Sequence, residues 1–184
     1  MKVVPTDLPG VVIVEPTVYR DARGFFRESY NAKHFAASGL PVAFLQDNHS
    51  RSTSRVLRGL HYQLHHPQGK LVSCVHGEIF DVAVDIRLGS PTWGRWTGVT
   101  LRGEEPRSLW IPPGFAHGFC VLSESADVVY KCTELFRPED ERGVLWSDAT
   151  IGVRWPVAEP VLSSKDERLA PLTADRGDLP AYIE

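Results

Sequence analysis

The stretch KLVSCVHGEIFDVAVDIR, residues 70–87, decides the fold class. Two runs rich in Val and Ile flank His76, Gly77 and Glu78, a spacing that predicts two strands joined as a hairpin. In the second run Phe80, Val82, Val84 and Ile86 share one face of an extended chain. Ile79, Asp81, Ala83 and Asp85 share the other, because strand side chains alternate with a period of two.

The pattern continues on both sides. GVVIVEP (10–16) reads as a first strand, and RWTGVTL (95–101), RSLWIP (107–112), HGFCVLS (117–123) and ADVVYKCTELF (126–136) as later ones. The 14 prolines and 15 glycines are scattered between such runs and act as punctuation. NAKHFAASG (31–39) predicts one short helix, with Asn31 capping its start and Gly39 ending it. Many short strands between turn signals predict an all-β sandwich or barrel, jelly roll included, with few short helices. No repeat, low-complexity tract or linker interrupts the chain, so residues 1–184 read as a single domain. From about residue 137 the sequence is irregular, with Pro138, Pro156, Pro160 and Pro171. Trp146, Ile151, Val153 and Trp155 in this segment need burial, so it is expected to wrap the barrel or cross to a partner chain.

Composition narrows the function classes. Twenty Lys+Arg against 23 Asp+Glu leave a net charge of −3, which gives no global case for nucleic-acid or membrane binding. No apolar run approaches a membrane span, and the N-terminal residues lack the apolar core of a signal peptide, so a cytoplasmic location is expected. Cys74, Cys120 and Cys132 are isolated and odd in number, and read as buried free thiols in a reducing compartment.

Two motifs bear on chemistry. IPPGFAHGF (111–119) contains PxGxxH, which resembles part of a cupin motif: the prolines fix φ, Gly114 permits a bend, and His117 opens the next strand. A metal-binding cupin would add HxH on an earlier strand, but here the sequence is His61-Tyr62-Gln63. His65 and His66 are adjacent and point to opposite faces of a strand, so a metal centre is disfavoured. Arg20, Arg23, Arg27, Glu28, Gln46, Asn48, His49, Arg58, His61 and Lys70 are each ordinary surface residues when taken singly. Together they suit a phosphorylated or nucleotide-linked ligand, since guanidinium forks fit phosphate oxygens.

Ordered motifs then carry a resemblance. DARGFFRESYN (21–31), QDNHSRS (46–52) with LRGLHYQ (57–63), QGKLVSCVHGEIFDVAVDIR (68–87), LWIPPGFAHGFCVLSE (109–124), VVYKCTELF (128–136), ERGVLWSD (141–148) and LSSKDERLAPL (162–172) resemble the dTDP-4-dehydrorhamnose 3,5-epimerase family. The resemblance implies a cupin-like jelly roll and a homodimer in which N-terminal residues reach a neighbouring barrel. It implies a dTDP-linked 4-keto-6-deoxyhexose substrate, epimerised at C3 and C5 without cofactor or metal. By similarity His61 is the base, Asp166 its carboxylate partner, Tyr130 the acid on the opposite face, and Lys70 the cation beside the enolate. Arg23, Glu28, Gln46, Asn48, Arg58, His117, Glu141 and Lys165 are carried over as substrate-binding residues. Phe136 stands where many relatives have tyrosine, which leaves single-carbon epimerisation as the alternative. A non-catalytic sugar-nucleotide-binding cupin is disfavoured by the presence of His61, Tyr130, Lys70 and Asp166 together.

Overall fold

The structure, a computed structural model, describes residues 1–183. It is nearly all β. Strands β1 (Lys2–Pro5), β2 (Val12–Glu15), β5 (Gln46–Thr53), β7 (Lys70–His76), β10 (Ser108–Ile111) and β12 (Ser125–Cys132) form one sheet in the order β1-β2-β10-β7-β12-β5. Strands β6 (Leu57–Gln63), β8 (Glu78–Asp85), β9 (Trp96–Arg102), β11 (Phe115–Val121) and β13 (Glu141–Gly143) form a second, in the order β13-β6-β11-β8-β9. Among the described residues, strands β3 (Val18–Asp21) and β4 (Gly24–Arg27) pair only with each other. Strand neighbours pair antiparallel, and the two large sheets face each other as in a cupin-like jelly roll. Among the described residues no helix is long and apolar enough to cross a membrane.

The stretch 70–87 does form two strands, but they are not a hairpin. β7 pairs with β10 and β12, whereas β8 pairs with β11 and β9 in the other sheet. The turn between them is a sheet-to-sheet corner. Gly77 takes φ +74 there, and a Cβ would lie 2.1 Å from the Ser125 carbonyl oxygen, so only glycine fits. Both faces of β8 are buried. Ile79 and Ala83 join Val72, Cys74, Leu109 and Phe119 in the core between the sheets. Phe80, Val82, Val84 and Ile86 face outward, against Val144, Ile151, Val153, Trp155, Leu172 and Leu179 from the C-terminal segment. Burying each such aliphatic side chain stabilises by about 1.5–3 kcal/mol, which holds an irregular segment on the barrel. Asp148 pins that segment as well, accepting from the backbone N–H of Thr150, Ile151 and Leu172.

The outer face of the first sheet is covered by α1 (Ala32–Ala37), whose Phe35 packs with Val14, Leu71 and Trp110. Asn31 caps the helix by accepting from the N–H groups of Lys33 and His34. Cys74, Cys120 and Cys132 are free and buried.

Candidate active site

The inner core does not fill the barrel. At one end it leaves a cavity of about 660 Å³ between the sheets. β5 contributes Gln46, Asn48 and Ser50, β7 contributes Lys70, and β12 contributes Tyr130. Arg58, His61 and Gln63 of β6 face them across the gap, together with His117 and Phe119 of β11 and Glu141 of β13. Ser163, Lys165 and Asp166 arrive from the C-terminal segment.

Strict alternation would point Arg58 and His61, three residues apart, to opposite faces. A bulge resolves this. His117 lies opposite His61 and Phe119 opposite Arg58, so β6 spends three residues where β11 spends two. Gly59 and Gly118 permit the close approach: a Cβ on Gly59 would lie 2.5 Å from the Gly118 Cα. Arg58, His61, His117 and Phe119 consequently share the cavity face, while Leu60 and Tyr62 turn outward into the C-terminal packing.

Asp166 Oδ1 lies 2.6 Å from His61 Nε2. Asp166 is buried, and its own N–H donates to Ser163 Oγ. Burial pushes its carboxyl up, but the hydrogen bond and charge of His61 outweigh this and hold it below the usual carboxylate range. An ionised Asp166 accepts from Nε2–H and leaves Nδ1 as the basic nitrogen. Glu141 Oε1 stands 3.9 Å from that Nδ1, and Glu141 Oε2 takes a 2.8 Å bond from Lys165 Nζ. His117 has its own carboxylate: Nε2 lies 2.7 Å from Oδ1 of fully buried Asp81.

The opposite wall is ordered by the ladder. Gln46, Cys132 and Lys70 share one row, and Asn48, Tyr130 and Val72 another. Gln46 Nε2 donates to Asn48 Oδ1, and Gln46 Oε1 accepts from the Phe136 N–H. Burial pulls the Lys70 ammonium below its ordinary value and pushes the Tyr130 phenol up, so Tyr130 keeps its proton.

Ten of the twelve residues that the family resemblance assigns to the site therefore line one cavity, whereas Arg20, Arg27 and His49 of the wider polar set lie outside its lining. Arg23 and Glu28 are the two of the twelve that do not line it. Arg23 pairs with Asp21 at the tip of the β3–β4 hairpin, and Glu28 binds His34 and Asn31. The β3–β4 hairpin that precedes Glu28 and carries Arg23 pairs with neither large sheet. His65 and His66 lie outside the cavity lining; both backbone N–H groups donate to buried Asp140. Gln63, Gln68, Ser50 and Ser163 line the cavity but were not singled out. Nor was Asp81, although a carboxylate alternating with Ile79 and Ala83 on an inward face signals a buried partner.

The family model for dTDP-4-dehydrorhamnose 3,5-epimerase matches residues 5–174. The chain belongs to the dTDP-4-dehydrorhamnose 3,5-epimerase family. The enzyme of that name from Shigella flexneri is 60% identical over 168 residues, covering 90% of this chain and 93% of that one. The one from Pseudomonas aeruginosa is 54% identical over 170 residues, covering 91% and 94%. Among solved structures, the family's dTDP-6-deoxy-D-glucose-3,5-epimerase from Legionella pneumophila, in complex with dTDP-4-keto-L-rhamnose, superposes with TM-score 0.95. It is 50% identical and covers 100% of this chain and 99% of its own. A 3'-monoepimerase from Streptomyces bikiniensis in complex with dTDP-quinovose superposes at TM-score 0.91 with 36% identity, covering 97% and 93%.

Proposed function

We propose that the protein is an isomerase that converts dTDP-4-dehydro-6-deoxy-D-glucose to dTDP-4-dehydro-L-rhamnose by epimerisation at C3 and C5, in dTDP-L-rhamnose synthesis. The observation that carries the mechanism is the placement of His61 and Tyr130 on opposite sheets across one cavity. A sugar ring lying between them presents one face to each.

The C4 ketone acidifies the C–H bonds at C3 and C5. His61 Nδ1 takes the proton, and the electron pair moves into an enolate. Asp166 stabilises the imidazolium that forms, and Lys70 offsets the charge growing on O4. Tyr130 O–H then returns a proton to the other face of the carbon. No electron leaves the substrate, so the chemistry calls for neither redox cofactor nor metal, and full activity is expected after chelation. Arg58 and Lys165 suit the diphosphate, while Gln46, Asn48 and His117 suit the polar edges of sugar and nucleotide.

Arg23 and Glu28 enter the reading through a second copy of the chain. The β3–β4 hairpin carries Tyr19, Phe25 and Phe26, which are 63%, 48% and 69% exposed. Apolar rings of that size on a protruding hairpin suit insertion against a neighbouring barrel. A homodimer, a single domain over 1–184 and a cytoplasmic setting complete the proposal.

Proton NMR in D₂O with the dTDP-4-keto-6-deoxyglucose substrate tests it. Exchange at both C3 and C5 is the expected result. Exchange at one carbon supports the second reading, a single-carbon epimerase, which Phe136 on the cavity wall and the likeness to a 3'-monoepimerase favour. Exchange at neither carbon removes the enzymatic reading.

A further inference from the structure

The two-base mechanism creates a problem of its own. Each epimerisation moves one proton from carbon to His61 and one from Tyr130 to carbon. It leaves an imidazolium and a phenolate, which cannot act on the second carbon in the same sense. His61 must lose a proton and Tyr130 must gain one while the sugar nucleotide still fills the main cavity.

A second cavity, of about 250 Å³, adjoins the first. His61, Glu141 and Lys165 line both, so these three side chains are the partition between them. The far side is formed by Arg168, Leu169, Ala170 and Arg176. Arg176 is held by Asp178 and by the carbonyls of Gly143 and Ala170, and Arg168 by the carbonyl of Ser164. The cations are thus tied to the walls, and the space between suits water, at about 30 Å³ per molecule.

Asp166 is badly placed to carry the proton away. It is 2% exposed, and its Oδ1 already accepts from Nε2. Glu141 differs on both counts. Its side chain is 23% exposed, it faces both cavities, and its Oε1 stands 3.9 Å from Nδ1. That separation is too long for a direct hydrogen bond and suits transfer through one bridging water.

We infer that Glu141 and the smaller cavity form a proton exit for His61, which resets the base between the two epimerisations without release of the sugar. The imidazolium gives its Nδ1 proton through water to the Glu141 carboxylate, which passes it to water in the cavity. Solvent returns one proton to the Tyr130 phenolate, so charge and protons balance. The inference rests on the two-carbon reading above.

The test is rapid-quench exchange in D₂O with enzyme in excess over substrate, scoring deuterium at C3 and C5 in one binding event. The readout is the ratio of second-carbon to first-carbon exchange rates. Ala170→Trp fills the cavity from an exposed position and touches no reacting group. It is expected to leave first-carbon exchange at the wild-type rate and to lower the ratio about a hundredfold, the size of a lost proton-transfer group. Singly exchanged sugar then accumulates. Glu141→Ala is expected to lower the same ratio, with recovery on addition of formate, a small diffusible carboxylate. That recovery disappears in the Glu141→Ala/Ala170→Trp double variant. An unchanged ratio in Ala170→Trp, or failure of formate to restore the ratio in Glu141→Ala, overturns the exit. Wild-type exchange confined to one carbon overturns the two-carbon reading itself, and the exit falls with it.

Discussion

Two histidine–carboxylate pairs sit side by side in this barrel, and they are built differently. His61 and His117 are direct cross-strand partners on β6 and β11. Each has a carboxylate within 2.7 Å of Nε2. His117 takes its carboxylate from Asp81, on the adjacent strand of the same sheet, and is buried at 7% exposure. His61 takes its carboxylate from Asp166, 105 residues away in an irregular segment, and keeps 23% of its side chain open. Asp81 is fixed by the ladder, and its second oxygen has no partner among the described residues. Asp166 is delivered by a segment that Asp148 and the outer core hold in place. In the proposed mechanism, that difference separates the group that must gain and lose protons, His61, from one that orients a ligand, His117.

The largest effect is expected at the open pair. His61→Ala is expected to lower kcat by about 10⁴-fold and to abolish deuterium incorporation at both carbons, while dTDP binding by calorimetry survives. Equal loss in His117→Ala would erase the distinction between the two histidines. Asp166→Asn is expected to cost about 10³-fold in kcat with KM little changed, because it removes the charge that stabilises the imidazolium.

Asp166 also has a signature in stability. Its pKa is depressed in the folded state, so its contribution is fully present above the unfolded carboxylate value of about 3.9. It is lost as pH falls through the lower folded value. Urea denaturation from pH 6 to pH 2.5 checks this: the wild-type curve is expected to fall more steeply in the acid range than that of Asp166→Asn. Parallel curves would show that the pair does not hold Asp166 ionised.

The bulge that sets both histidines on one face gives the next effect down. Gly59→Ala places a Cβ 2.5 Å from the Gly118 Cα at φ +130. It is expected to cost about 1–3 kcal/mol of stability and to turn Arg58 out of register with His61. A chemical-denaturation midpoint together with diphosphate affinity measures both consequences.

These features were unevenly legible in the sequence. Alternation from Ile79 to Ile86 gave both faces of β8 correctly, because a strand's period is local. The partner of that strand was not legible. A glycine corner and a hairpin turn look alike in His76-Gly77-Glu78, and only long-range pairing sends β7 and β8 to different sheets. Arg58 and His61 could not be placed on one face by spacing, since the bulge depends on Gly118, nearly sixty residues on. The His61–Asp166 pair came from the family resemblance alone, because no periodicity links two positions 105 residues apart. Asp81 is the reverse case: a carboxylate on the inward face of an apolar strand is a local signal of a buried charge that needs a partner.

The smallest effect is expected at the closed pair, and it sharpens the comparison most. Asp81→Asn keeps the size of the side chain and an oxygen able to accept from His117 Nε2, but removes the charge. A neutral hydrogen bond is weaker than a charge-assisted one, so a loss of about 1–2 kcal/mol in unfolding free energy is expected. His117 remains oriented, so KM should rise a few-fold and kcat should fall by less than tenfold. The pH dependence of kcat should be unchanged, since the proposed mechanism puts the proton-transferring nitrogen on His61. If Asp81→Asn instead lowered kcat as far as Asp166→Asn and shifted that profile, His117 would have to exchange protons during turnover, and burial would have failed as the property that tells the two histidines apart.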